Sequence, residues 1–566
     1  MLLKPDRFPV RSLGVLLLIL NVSAQAQLDP YSTDPLDRQV ELPDFAPAPV
    51  DAGNILPPIL PESTGSAADL LSGERFVLRG VRFSGNTLFS DAELQVLVQP
   101  LLDAEIGLAQ LQGLRDRISH YYIDRGYISS GALIPEQQVT AGVVEMRIVE
   151  GRLNHIDIEG VDALDADYVH SRLQFAAQPV LNLAKLEQAL YLLQQDPRIR
   201  RIDAQLKPGD HPGESLLAVK LEEANPVQQF FGVNNHHAPA IGAEGVYYNW
   251  RHLNWSGQGD TLMLGLEKTR GLNAIDLLYD QPLNGADDHL AYFVKLNDSD
   301  VIEGDFEALD IASRSGTLGV SFRHPVEHNT THRFDWFVSA ELRRSESYLL
   351  GDTFSFSPGP ENGVSRISVL RTGSDMQWRS PRRVIAARAT LSIGLDVLDA
   401  TRHDDETPDG VFTSLLLQGQ WAQRLETLDS TLIMRMDAQL ADNSLLGLEQ
   451  LAIGGHATVR GYRENSLVRD QGAVASIEWR VPYRVSKKSS AQHAVALFYD
   501  VGYASNIDAP APEVDSLSSV GMGLTGQFSA ALQYQLYWAD ALDDELIIDD
   551  DDLQDEGIHF SISYHW

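Results

Sequence analysis

The 566-residue sequence contains no cysteine. That excludes a disulfide-stapled scaffold, a thiolate-ligated zinc or iron-sulfur centre, and a cysteine nucleophile. Basic residues are scarce: 44 Lys and Arg stand against 79 Asp and Glu, a formal net charge of −35. Phosphate neutralisation needs clustered cations, so this balance excludes a nucleic-acid partner. Beyond the N-terminal region no uninterrupted apolar run reaches the ~20 residues that a membrane helix requires, and the mean hydropathy is −0.17. A membrane β-barrel passes that test, because only alternate residues of its strands face lipid. Catalytic signatures are missing too. The sequence has no HExxH, GxSxG, GxxxxGK(S/T) or EF-hand spacing, so neither an enzyme nor a resident metal or cofactor is expected.

What is present begins with an address. Lys4, Arg7 and Arg11 form a basic segment, Leu13 to Val22 a short apolar one, and Ala24-Gln25-Ala26 a small-residue cleavage site. This is the layout of a signal peptide, over residues 1–26, with a mature chain starting near Gln27 outside the cytoplasm. Eight prolines then fall between Gln27 and Ser66. Each interior proline removes a helical hydrogen bond, so residues 27–74 read as an extended linker.

From Arg75 to Asn225 the sequence repeats with an offset of 75 residues. Val81, Phe83 and Gly85 match Ile156, Ile158 and Gly160; Leu108, Leu111 and Ile118 match Leu183, Leu186 and Leu193; Val144 and Met146 match Val219 and Leu221. The first and last groups alternate like strands, and the middle group is spaced as one helix face. Residues 75–150 and 151–225 are therefore expected to be two small αβ modules, with Gly126 stopping one helix and Asn182 capping another.

After Pro226 the helical spacing disappears. Short alternating stretches follow one another to the C-terminus, such as Phe334, Trp336 and Val338, or Leu532, Tyr534, Leu536 and Trp538. In the last of them Ile558, Phe560, Ile562, Tyr564 and Trp566 share one face, with His559, Ser561, Ser563 and His565 on the other. An apolar face ending in aromatics suits a lipid-facing strand. A large soluble sandwich or propeller is the competing architecture, but it gives no reason for an aromatic terminal strand. Sixteen such segments fit between Val227 and Trp566, about 21 residues each with its connection and about 10 within the strand. Residues 226–566 are thus expected to form a sixteen-stranded transmembrane β-barrel.

Few side chains invite chemistry. His236-His237 and the pair His328 and His332 have a metal-ligand look, but no third ligand is placed beside them, so both are read as surface-loop residues. Asp540 to Glu556 holds ten acidic residues and no basic one; it lacks the glycine turn of a calcium loop and reads as a solvated outer loop. Two stretches stand out. Gly454-Gly455-His456-Ala457-Thr458-Val459-Arg460-Gly461-Tyr462 lies in a long connection, Ser444 to Gln471, between the expected eleventh and twelfth strands. On the thirteenth, Val495, Leu497, Tyr499, Val501 and Tyr503 face lipid, which turns Phe498, Asp500 and Gly502 inward. An inward carboxylate beneath a loop arginine suggests a charge-assisted pair. Glu478 and Arg480 also point inward by alternation, so spacing alone leaves the partner of Arg460 open.

At these motifs the sequence resembles the two-partner secretion outer-membrane transporters of the haemolysin-activator type, whose superfamily also contains barrel assembly factors. Val459-Arg460-Gly461-Tyr462 looks like the superfamily's VRGY/F loop motif, and Phe498, Asp500 and Gly502 look like its F-x-D-x-G strand motif. Gly126-Tyr127-Ile128, Ile134-Pro135 and Val149-Glu150-Gly151 resemble wording of the first POTRA domain. The resemblance implies two POTRA domains before the barrel, with Arg460 meeting Asp500 on a loop folded into the lumen. It also implies Phe560, Tyr564 and Trp566 as the signal read during barrel assembly. Wall residues Asp335, Glu341, Arg343, Glu478, Arg480 and Asp500 would line the conduit. The implied function is export, by a monomer in outer-membrane lipid, of a large secreted exoprotein (TpsA-type) recognised through its N-terminal secretion domain. Assembly of other barrel proteins is the alternative. Family members often carry an N-terminal plug helix; no proline-free stretch between Pro30 and Pro61 exceeds seven residues, so a plug of several turns is not expected.

Overall fold

The computed structural model describes residues 45 and 75–566, except 485–491, 509–513, 530 and 544–551. The signal peptide, a plug helix and nearly all of the proline-rich linker lie outside the described residues.

Between Gly80 and Glu223 the chain builds one unit twice. The first runs as strand Gly80–Ser84, helices Asp91–Val98 and Leu108–Ile123, and strands Gly131–Leu133 and Val143–Val149. The second runs as Arg152–Glu159, helices Ala166–Ala177 and Leu183–Gln194, then Ile199–Pro208 and Glu214–Glu223. In each, the last strand is central in a three-stranded sheet, parallel to the first strand and antiparallel to its predecessor. Alternation sets the packing. Val144, Met146 and Ile148 turn inward onto Leu111, Leu114, Ile118 and Tyr122 of the long helix, whose spacing puts them on one face. Leu217, Val219 and Leu221 meet Leu186, Leu190 and Leu193 in the same way. Each such side chain contributes about 1.5–3 kcal/mol by leaving water, so each unit has a core of its own.

The loops repeat as well. A Cβ at Gly85 would lie 2.4 Å from the Ile148 carbonyl oxygen, and one at Gly160 2.1 Å from that of Leu221. Glu150 accepts the N–H groups of Thr87 and Leu88 at 2.7 and 2.8 Å; Glu223 accepts those of Asp162 and Leu164 at 2.7 and 2.9 Å. One carboxylate thus ties the end of the last strand to the turn after the first. The helix Asp91–Val98 starts in a capping box: the Ser90 N–H donates to the Glu93 carboxylate at 2.8 Å, which holds that carboxyl below its ordinary value. Asn182 joins the units. It caps Leu183–Gln194 by accepting from Ala184 N–H at 3.1 Å, and its amide donates to the Arg125 carbonyl at 3.0 Å.

The remainder is a closed antiparallel barrel. Among the described residues sixteen strands form its wall, from Val227–Asn234 to Ile558–His565, with Asp352–Thr353 as a short side pairing. Phe230 to Asn234 pair with His565 to Ser561 to close the ring. The Asn235 side chain extends that seam as a backbone group would, donating to the Ile558 carbonyl at 2.8 Å and accepting the Phe560 N–H at 2.7 Å. In the thirteenth strand, Gln492–Ser505, Val495, Leu497, Tyr499, Val501 and Tyr503 are exposed outside while Ala496, Phe498 and Asp500 are enclosed. Val520, Met522, Leu536, Trp538, Ile562, Tyr564 and Trp566 continue the outer band. An apolar exterior around a charged interior inverts the order of a soluble protein and fits lipid as the surrounding solvent. The sandwich and propeller alternatives fall with it. Strands six to eight, Ala312–His328, His332–Leu349 and Val364–Arg379, have 17, 18 and 16 residues, longer than the expected ~10. Their pairing continues past the apolar band through polar positions such as Ser345 and Ser365.

The second unit is docked on one end of the barrel. Asp165 N–H reaches the Gly257 carbonyl at 2.7 Å, Arg198 Nε the Leu253 carbonyl at 2.6 Å, and Gln188 the His328 carbonyl at 2.8 Å. Arg172 pairs with Asp287 at 2.5 Å. Burial pushes the Asp287 carboxyl up, but His289 and Arg172 outweigh it and hold the group well below its ordinary value.

Candidate functional site

The connection 442–470, between the eleventh strand, Thr431–Ala441, and the twelfth, Gln471–Tyr483, leaves from the end opposite the docked unit and turns back into the lumen. Leu451–Ile453 and Leu467–Arg469 pair to make it a hairpin. Its own composition drives the insertion. Leu451, Ile453, Val459, Tyr462 and Leu467 are buried together against Val474, Ala504 and Leu517 of the wall, apolar surface that a loop in water would leave exposed.

Arg460 lies at the tip and is 2% exposed. Its Nε and Nη2 each lie 2.8 Å from an oxygen of Asp500, a bidentate grip, and its own backbone N–H donates to the same carboxylate at 3.2 Å. Nη1 donates to Glu478 on the twelfth strand at 2.5 Å. The two inward carboxylates that spacing left as competing partners therefore share one guanidinium. Ser476 fixes Asp500 from the side, its hydroxyl donating at 2.6 Å. Arg480 binds the other oxygen of Glu478. Because Asp500 is fully enclosed, removing Arg460 would strand charge in a dry environment, at a cost of about 3–5 kcal/mol.

The rest of each motif follows from this contact. The Arg460 guanidinium carbon is 3.4 Å from the centroid of the Phe498 ring and 4.8 Å from that of Tyr537, so aromatic faces cover the flanks that carboxylates do not reach. A Cβ at Gly502 would lie 2.7 Å from Ile453 and 3.0 Å from Val459; only glycine leaves room for the loop's apolar side. Gly461 has φ +93, a conformation that glycine adopts without strain, and its N–H donates to His559 Nε2 at 3.2 Å. The Tyr462 hydroxyl donates to the Ser518 carbonyl at 3.0 Å. Phe560, Tyr564 and Trp566 lie apart from this cluster, on the closing strand; the Trp566 N–H donates to the Gln229 carbonyl at 3.2 Å across the seam. Asp335 also points inward but pairs with Arg333 at 2.7 Å rather than with the loop.

Two readings need correction. His236 is not a surface-loop residue: its ring stacks on His456 of the inserted loop, centroids 3.8 Å apart, and His237 lies 2.9 Å from Glu267. The first outer connection is covered by a loop more than 200 positions away, a contact that local spacing does not carry. His332 is exposed. The acidic stretch is not wholly solvated either, because Arg463 grips Asp555 at 2.5 and 2.7 Å and reaches Glu303 at 2.5 Å. Its last turn is drawn inward by Arg463, the residue immediately after Tyr462 of the loop motif.

Glu449 was missed. It is 1% exposed and bound by Arg343 and Arg371; the available signal was a lone carboxylate within the apolar run Leu445 to Ile453. Beneath the loop, at the end that carries the docked unit, a polar cavity of about 320 Å³ is lined by Thr431, Arg480, His493, Gln533, Ser561 and Ser563.

Comparison with known proteins agrees with this geometry. The sequence model of the family described as haemolysin secretion/activation protein ShlB/FhaC/HecB matches residues 213–526, and that of the ShlB-type POTRA domain matches residues 76–151. The outer membrane transporter CdiB of Dickeya dadantii is 25% identical over 458 residues, covering 74% of this chain and 75% of the relative. The heme/hemopexin transporter protein HuxB of Haemophilus influenzae is 22% identical over 543 residues, 93% and 94% of the two chains. Among solved structures, CdiB from Escherichia coli superposes with a TM-score of 0.69 at 19% identity, over 89% of this chain and 93% of the other.

Proposed function

The chain belongs to the haemolysin secretion/activation family, and from that premise we propose how its parts divide the export of a partner protein. It is an outer-membrane transporter of two-partner secretion, with its POTRA region in the periplasm. The two αβ units act as the receptor. They meet the exported chain first, bind its N-terminal secretion domain, and hand it to the polar cavity at the barrel mouth. An exposed sheet edge in each unit suits an unfolded segment, because backbone hydrogen bonds to an added strand do not depend on sequence.

The barrel is the conduit and the inserted loop is its gate. The observation that carries this reading is Arg460 held between Asp500 and Glu478, the latter also bound to Arg480 of the cavity lining. A passenger entering from the periplasm reaches the loop before it reaches the outside, so the loop shifts as the passenger passes. The protein works as a monomer in outer-membrane lipid, as a conduit rather than a catalyst. The partner's folding at the cell surface supplies the driving force, as there is no phosphate-binding loop to use a nucleotide. The test is secretion of the partner by cells carrying the Arg460→Ala chain. Folded, membrane-inserted protein with partner retained in the periplasm supports the gate; undiminished export contradicts it.

A further inference from the structure

Among the described residues, the loop that enters the lumen is ion-paired to the wall strands at two places, and only one of them lies in a sequence motif. Glu449 sits in the first part of the loop, in the turn Gly447–Glu449. Its carboxylate accepts from Arg371 Nη2 and Nη1 at 2.8 and 3.0 Å and from Arg343 Nη1 at 2.7 Å. Both arginines belong to the wall, on the eighth and seventh strands, well away in the ring from the twelfth and thirteenth that hold Arg460. Glu341 completes the set by accepting from Arg371 Nε at 3.2 Å, and Ser392 accepts from Arg371 Nη1 at 2.7 Å.

The charge arithmetic makes Glu449 necessary to this set. Two enclosed guanidiniums, Arg343 and Arg371, face two carboxylates, Glu341 from the wall and Glu449 from the loop. Without Glu449 the named set of Arg343, Arg371 and Glu341 carries a net positive charge, with Arg371 only 1% exposed, which is strongly unfavourable until water or another anion enters. The Arg460 set has the opposite polarity: there the loop brings the cation and the wall the carboxylates. Apolar packing divides along the same line. Leu445 and Leu446 are buried with Ile367, Val369 and Phe412 beside Glu449, whereas Ile453, Val459 and Tyr462 belong to the separate cluster beside Arg460.

We infer that Glu449 is a second positioning residue of the loop, anchoring its first part to strands seven and eight independently of Arg460. The inference rests on the reading of the loop as the gate, and adds that opening requires two separate releases. Arg460→Ala frees the tip and leaves the first part seated.

The absence of cysteine allows a direct test on the full-length chain in outer-membrane vesicles, with no exported partner present. Leu446→Cys reports on the first part and Val459→Cys on the tip, each through its rate of reaction with a hydrophilic maleimide. Glu449→Gln should accelerate labelling at 446 by about tenfold or more while leaving 459 within about twofold, and Arg460→Ala should do the reverse, as expected for separate local openings. Adding Arg343→Gln to Glu449→Gln removes the stranded cation and should bring the rate at 446 back towards the parent, a rescue that a merely structural role would not give. If Glu449→Gln does not assemble into a heat-modifiable barrel, Glu449→Asp, with its shorter reach, should give a smaller acceleration confined to 446. Equal acceleration at both sites with either variant, or none at 446, overturns the inference. Since no partner is present, failure of the transport reading would appear only in the secretion assay.

Discussion

Phe498 lies beneath Arg460, its ring centroid 3.4 Å from the guanidinium carbon, two positions along the strand from the Asp500 carboxylate that the same guanidinium grips. The strand motif is therefore a single receptor for one loop side chain: a face from Phe498, an anion from Asp500, and clearance from Gly502.

Replacing Phe498 by Leu keeps an apolar side chain but removes the ring quadrupole. The loss expected for a desolvated contact of this kind is about 2 kcal/mol. It should appear as faster cleavage of the loop by external protease, with the barrel still heat-modifiable; unchanged cleavage would show that the ring only fills space.

Arg460→Ala and Asp500→Ala should both impair secretion, and their effects should not add. A double-mutant cycle on loop protection should give a coupling of about 1–3 kcal/mol. Glu478 refines the order. Asp500→Asn leaves Arg460 with one carboxylate at 2.5 Å and should be the milder change, whereas Arg460→Ala strands Asp500 and leaves Glu478 to Arg480. Strictly additive effects would show that the residues act apart.

How far the sequence already carried this arrangement differs from part to part. The repeat was legible because Gly85 and Gly160, Leu111 and Leu186, or Val144 and Val219 each serve a local period, and cores built on local periods repeat visibly. The barrel was legible for the same reason, since lipid and lumen impose a two-residue alternation on every strand. The helices Asp91–Val98 and Ala166–Ala177 went unnamed, although Ser90 and Glu93 carry a capping box. Glu150 and Glu223 escaped notice as equivalents because they fall 73 residues apart rather than 75. Contacts between distant loops, His236 with His456 or Glu449 with Arg371, have no period at all. The inward side of each wall strand could be read, but which inward groups meet the loop depends on its path through the lumen.

Gly502→Ala tests the clearance. The added methyl would press on Ile453 at 2.7 Å, and overpacking of this kind costs about 1–3 kcal/mol. The loop should become protease-sensitive and partner export should fall, with assembly of the barrel unchanged. Full protection of the loop would mean that Ile453 and Val459 can shift without consequence.

A soluble fragment from Gln27 to Asn225 should bind the partner's N-terminal secretion domain with about micromolar affinity, near −8 kcal/mol. Titration calorimetry checks this. No binding at about millimolar concentration, where −4 kcal/mol would register, would remove the αβ units as the receptor.

Deleting Trp566 removes an exposed ring from the lipid-facing band and the backbone pair with Gln229 that finishes the seam. The amount of heat-modifiable barrel in the outer membrane should drop. Unchanged levels and mobility would show that closure does not depend on the last residue.

This barrel exports a partner of its own rather than assembling other barrels. The direct measurement is to deplete the chain and follow two quantities in the same cells: the partner in the medium, and the unrelated porins in the outer membrane. The partner should disappear from the medium while porin levels hold. Falling porins with continued export of the partner would contradict it.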